Sequence, residues 1–225
     1  FQALGMVSGG IDADAAALFD RAGLRCHELL GLQIGEDPAA AAAAAEGLAA
    51  DAARIRASWV LVTFQVPLTT EVRGTVARCA ATFEQAGAGF AVEFSPLGPI
   101  ATIADALDVI EAAQPARAGM VIDSWNFCLG PSTWEDLGKV PLDTIAYVQF
   151  ADALAPRGAL DLEEAMRRRA LPGEGVLDVE RFVRTLRDRG WDGVVSMQVL
   201  SDELRRLPVD DYARRVHTAG ARYWQ

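Results

Sequence analysis

The 225-residue chain contains a single lysine, Lys139, two histidines, His27 and His217, three cysteines and no long apolar run. Each shortage excludes something. Cys26, Cys79 and Cys128 are odd in number and lack metal-type spacing, which argues against a disulfide framework and points to reduced thiols of a cytoplasmic protein. No stretch approaches the ~20 apolar residues of a membrane span, and the first residues lack the basic-then-apolar pattern of a signal peptide. The chain therefore reads as soluble, with no membrane partner. Basic residues are outnumbered, and the formal net charge of −10 repels phosphate backbones, so nucleic acid is not the expected partner.

What is present is apolar and regular. With 51% hydrophobic residues and no linker-like segment, residues 1–225 are expected to form one globular domain. The alanine run Ala39–Ala45 is read as compositional bias. Short β-rich runs begin near Phe1, Leu24, Trp59, Phe90, Ala118, Thr144 and Gly193. Between them lie helical stretches at Asp12–Arg21, Pro38–Ala57, Thr70–Gln85, Ile103–Ala113, Leu177–Arg189 and Val209–Tyr223. Strand and helix alternating in this way describe βαβ units around a parallel sheet.

The strand starts recur about every 32 residues, so the chain holds seven units, where a closed (β/α)8 TIM barrel of about 250 residues holds eight. The expected fold is that barrel lacking its first β/α unit, with Phe1–Val7 as its second strand. A natural seven-unit barrel or an open doubly wound sheet is the alternative. The longest interval, between Gln149 and Gly193, carries an insertion that includes Pro172-Gly173-Glu174-Gly175. Long loops after barrel strands lie on the active-site face.

Four strand candidates end in a polar residue where an apolar core strand should be finishing: Glu93, Asp123, Gln149 and Gln198. In a parallel barrel these ends share one face. Two carboxylates and two amide oxygens form a hard donor set suited to Mn²⁺ or Mg²⁺, with Co²⁺ or Zn²⁺ as alternatives. Taken singly, each would be read as a strand-end residue bonded to a neighbouring loop.

From Phe90 to about Arg215 the motif order resembles the xylose-isomerase-like barrel superfamily, the sugar phosphate isomerase/epimerase group. The matching residues are Glu93, Asp123-Ser-Trp-Asn126, Gln149-Phe-Ala-Asp152, Pro172-Gly-Glu-Gly175 and Gln198. The resemblance implies carbohydrate chemistry by a metal-assisted isomerase or epimerase, with Glu93 removing a proton alpha to a carbonyl of a sugar, polyol or related small molecule. Two departures matter. Asn126 stands where a His is common, and Gln198 where a second Glu is expected. An amide can coordinate a cation but cannot accept a proton as a base. Gln149 and the lead-in Arg167-Arg168-Arg169 resemble bacterial 3-dehydroshikimate dehydratases, so a lyase is an alternative. A barrel that has lost catalysis and binds a ligand or partner is another, as is a Glu-to-Gln substitution made to trap a substrate.

Asp152, Arg169, Trp125 and Asn126 are candidate substrate contacts: a hydroxyl acceptor, a planar fork for carboxylate or phosphate, a pocket wall and a polar neighbour of Asp123. His27 reads as a core or rim residue, and Cys128 lacks the His partner a thiol nucleophile needs. The endonuclease branch of the same superfamily uses several His residues, more than this chain has. Exposed strand edges would favour a homo-oligomer if the first unit is absent.

Overall fold

A computed structural model describes residues 2–7, 11 and 14–224. The residues group into two compact units. The first holds residues 1–94, 98–100 and 104–121; the second holds residues 95–97, 101–103 and 122–225. The expected starts at Phe1 and Asp12 lie outside the described residues.

In the first unit the strands β1 (Ala3–Val7), β2 (Arg25–Ile34), β3 (Trp59–Phe64), β4 (Gly89–Glu93) and β5 (Ala118–Asp123, through Val121) pair in chain order, every pair parallel. Parallel neighbours need a crossover, and the helices supply it. These are α1 (Ala15–Ala22), α2 (Pro38–Ile55), α3 (Thr70–Gln85) and α4 (Ile103–Ala113, most of which belongs here).

The alanine run has a structural use. Asp37 caps α2 by accepting from the N–H groups of Ala39 and Ala40 at 2.8 and 3.2 Å, and Pro38 takes the first helical position, where its missing N–H costs nothing. Ala41, Ala45, Leu48, Ala49, Ala52 and Ile55 then fall on one buried face at helical spacing. Valines and phenylalanines fill the sheet: Val60, Val62, Phe90 and Val92 are fully buried. Each contributes roughly 1.5–3 kcal/mol by leaving water. Gly89 is required by packing, because a Cβ there would strike the Trp59 ring, on which Arg117 also stacks at 4.5 Å.

The second unit takes the last two residues of β5 and adds β6 (Ile145–Phe150) and a short β9 (Val195–Met197), which pair in parallel. The interval between them folds as more than a loop. It contains an antiparallel ribbon of β7 (Asp152–Ala153) and β8 (Arg169–Ala170), with α7 (Leu162–Arg167) between its strands and α8 (Val179–Arg187) after it. Two short helices not anticipated above, α5 (Ser124–Leu129) and α6 (Trp134–Lys139), follow β5, and α9 (Val209–Trp224) ends the unit. Aromatic rings fill its core: Phe150 stacks on Phe182 with centroids 6.2 Å apart and meets Tyr223 and Trp224 edge-on at 5.6 and 5.5 Å. No helix among the described residues is long and apolar enough to cross a membrane.

Candidate functional site

Asp123 ends β5 and starts α5. Its Oδ1 accepts from the Asn126 N–H at 2.9 Å, the N-cap bond that lets the chain turn from strand directly into helix. Its Oδ2 accepts from Arg169 Nη1 at 2.6 Å. Both partners are buried, Asp123 at 0% and Arg169 at 4% exposure, so this ion pair is held away from water. Arg169 is fixed from three directions. Its Nε donates to the Ala165 carbonyl at 2.9 Å, its backbone N–H donates to the Leu200 carbonyl at 3.0 Å, and the guanidinium lies 5.5 Å from the centre of the Trp125 ring.

The arginine run thus divides by environment. Arg168 pairs with the buried Glu164 at 2.9 Å, Arg167 sits 3.6 Å from Asp202 on the surface, and only Arg169 of the three turns inward to Asp123. Four of the expected site residues, Asp123, Trp125, Asn126 and Arg169, come together in this cluster.

Asp152, a candidate substrate contact by sequence, is bonded to the main chain. Its Oδ2 accepts from the N–H groups of Gly173 and Gly175, both at 3.0 Å, and its Oδ1 from Leu177 at 2.9 Å and Ala153 at 2.8 Å. All its acceptor capacity goes to the main chain, so it winds the Pro172-Gly-Glu-Gly175 loop around a buried carboxylate. The loop glycines follow from this. Gly173 has φ +84°, and a Cβ on Gly175 would collide with the Ala153 carbonyl and with Asp152 itself.

Gln149, fully buried on β6, stands in register with Ser196 of β9. Gln198 follows β9, tied by its N–H to the Phe150 carbonyl at 3.1 Å. Its side-chain Oε1 is buried with no hydrogen-bond partner among the described residues. A buried acceptor left in that state is costly unless a bound molecule donates to it. Glu93 ends β4 in the first unit, half-buried and in register with Val121.

Burial also sets the state of Cys128 and His27. Burial, with Asp123, Asp178 and Asp152 adding to it, pushes the Cys128 thiol up to about 12, so it is no nucleophile at neutral pH. Burial, with Arg25 and Arg117 adding to it, holds His27 down at about 4, leaving it neutral. The strand-end rule also applies to two residues passed over in the sequence. Gln33 is the last residue but one of β2 and Gln65 follows β3, their side chains bonded at 2.7 Å beside a groove of about 590 Å³ that Gly35, Glu36 and Asp37 also line.

Within the second unit, Asp123, Gln149 and Gln198 do not by themselves fit a resident divalent cation. A hard cation is held through carboxylate oxygens turned toward it. Here Asp123 has one oxygen on a guanidinium and the other on a helix N–H, while Gln149 and Gln198 bring no charge. No group of three His, Cys, Asp or Glu side chains able to hold a metal occurs among the described residues.

The model of the xylose isomerase-like TIM barrel family matches residues 69–218. An inosose isomerase of Bacillus licheniformis is 31% identical over 134 residues, which are 58% of this chain and 47% of that protein. A 3-dehydroshikimate dehydratase of Pseudomonas aeruginosa is 31% identical over 104 residues, 46% of this chain and 16% of that protein. The chain thus spans less than two thirds of either relative. Among solved structures, the IolI protein with a bound zinc atom superposes with a TM-score of 0.85 at 17% identity, covering 100% of this chain and 90% of that one. The fold is that of a TIM barrel, with a parallel series of seven strands, β1 to β6 and β9, among the described residues.

Proposed function

The chain belongs to the xylose isomerase-like TIM barrel family, and from that premise we propose that it acts on a hydroxylated six-membered ring ketone, isomerising or dehydrating it by removing the proton next to the carbonyl. An inosose and 3-dehydroshikimate are both rings of this kind, and both name relatives of this chain. The observation that carries the reading is the dry polar cluster at a strand end, Asp123 and Arg169 against Trp125, in the position where this fold keeps its active sites.

Glu93 is the general base of the reading. Gln198 has no proton to return, so one carboxylate serves both transfers in an isomerase, or the adjacent hydroxyl leaves after the first transfer in a dehydratase. In the sequence-based expectation a Mn²⁺ or Mg²⁺ ion on Glu93, Asp123, Gln149 and Gln198 supplies the positive charge; the committed oxygens of Asp123 favour a form of the reaction without that ion. A cytoplasmic setting is supported by the free thiols of Cys26, Cys79 and Cys128.

Proton NMR in deuterium oxide tests the reading. The full chain is expected to exchange the α-proton of an inosose or of 3-dehydroshikimate, and Glu93→Gln to slow that exchange by about 10²–10⁴. Absence of exchange with every ring ketone tried would end it. Binding of such a ketone without exchange would select the retired barrel, which the amide at Gln198 favours.

A further inference from the structure

We infer that the Arg169 guanidinium stands where a divalent cation would act, so that the site works without a resident metal and meets the substrate oxygen with N–H donors. The inference rests on the proton-abstraction reading above for its chemistry, and on the Asp123–Arg169 pair for its geometry. A metal centre built on Asp123 needs that carboxylate turned toward the ion. Instead Oδ2 is bonded to Arg169 Nη1 at 2.6 Å and Oδ1 to the Asn126 N–H at 2.9 Å, inside a fully buried environment. Bringing a doubly charged ion next to a guanidinium in such a place is opposed by like-charge repulsion that little water screens.

The same pair leaves donors for a substrate. A guanidinium has five N–H groups in a fixed fork. Arg169 spends one from Nε on the Ala165 carbonyl and one from Nη1 on Asp123, and no other protein acceptor takes the rest among the described residues. The carbonyl of Ala165, the Asp123 carboxylate and the Trp125 ring hold the fork in place, which is the preorganisation an oxyanion site requires.

In the step, the α C–H bond breaks and its proton passes to a carboxylate base. The C–H electron pair becomes the new C=C bond, and the carbonyl π pair moves onto oxygen, where the N–H groups of Arg169 receive the charge. Gln198 Oε1, buried and otherwise unpartnered, accepts from a substrate hydroxyl. Because Asp123 and Arg169 cancel and Gln149 and Gln198 are neutral, these four residues supply no net positive charge to hold a phosphate.

Calorimetric titration of the EDTA-treated, dialysed full chain with Mn²⁺, and separately with Zn²⁺, decides the metal question whether or not any ketone turns over. The expected result is no saturable heat up to about 1 mM ion and an unchanged melting midpoint; stoichiometric binding at micromolar Kd overturns the inference. Arg169→Lys keeps a cation beside Asp123 but loses the planar fork, so it is expected to fold and to exchange the α-proton 10²–10³-fold more slowly. Unchanged exchange in that variant would likewise overturn the role of Arg169. If the wild-type chain exchanges no ketone, the proton-abstraction reading fails, and the titration still reports on the cation.

Discussion

The two units of this chain spend their interiors differently. Among the described residues the first buries Glu28 and Thr75 as its polar side chains and otherwise fills mainly with valine, alanine, leucine, isoleucine and phenylalanine. The second buries Asp123, Asp152, Glu164 and Arg169 together with Gln149 and Ser124. Burying charge is expensive unless each charge finds a partner, and each of these carboxylates does, on a guanidinium or on a set of N–H groups. A fold needs no such arrangement for stability alone. Buried, paired charge is thus concentrated in the second unit, while the first, apart from Glu28 and the half-buried Glu93, is mainly apolar inside.

The comparison can be broken by substitution. The largest effect is expected at Arg169→Met, which strands the Asp123 carboxylate in the core and should cost about 3–5 kcal/mol in urea unfolding. Asp152→Ala comes next, at about 3 kcal/mol, because main-chain donors of the Pro172–Leu177 segment lose their acceptor. Limited proteolysis should then cut that loop first. In the first unit, trimming one methyl group with Ile34→Val, at a site with 0% exposure, should cost only about 1 kcal/mol. A cost at Ile34 equal to that at Arg169 would erase the distinction between the units.

The smallest expected effect is a pH dependence. His27 titrates near 4 in the folded chain against an ordinary 6.5, so between those values the unfolded chain takes up a proton that the folded chain refuses. Stability is therefore full above about pH 6.5 and falls as pH drops toward about 4. The loss is about 1 kcal/mol, less than full linkage because the ring is only partly buried. His27→Gln should flatten that segment of the stability curve measured by urea titration across pH.

The strands and long helices were legible because their signals are local. Trp59–Phe64 and Ala118–Asp123 are apolar runs bounded by polar turns, and Thr70–Gln85 and Ile103–Ala113 carry helical periodicity, so expectation and structure agree there nearly residue for residue. The interval from Asp152 to Ala170 was opaque as structure, whereas the helix after it was expected at Leu177–Arg189 and is found at Val179–Arg187. A two-residue ribbon and a six-residue helix are too short to show a period, and both depend on partners many positions away. The site residues follow the same division. Asp123 stood out as a carboxylate ending an apolar strand. Its commitment to Arg169, 46 positions on, could not be read from spacing, and the Asp152 carboxylate looked like a substrate contact because its acceptance of the Gly173, Gly175 and Leu177 N–H groups is made by the fold of the loop.

A double-mutant cycle on the buried pair tests the central claim most directly. Urea unfolding would be measured for the wild-type chain, Arg169→Met, Asp123→Asn and the double variant. If the second unit is organised around Asp123 and Arg169, each single change is severe and the double change recovers much of the loss, with a coupling energy of about 2–3 kcal/mol. Losses that simply add would contradict that account and return Asp123 to a role as an independent helix cap.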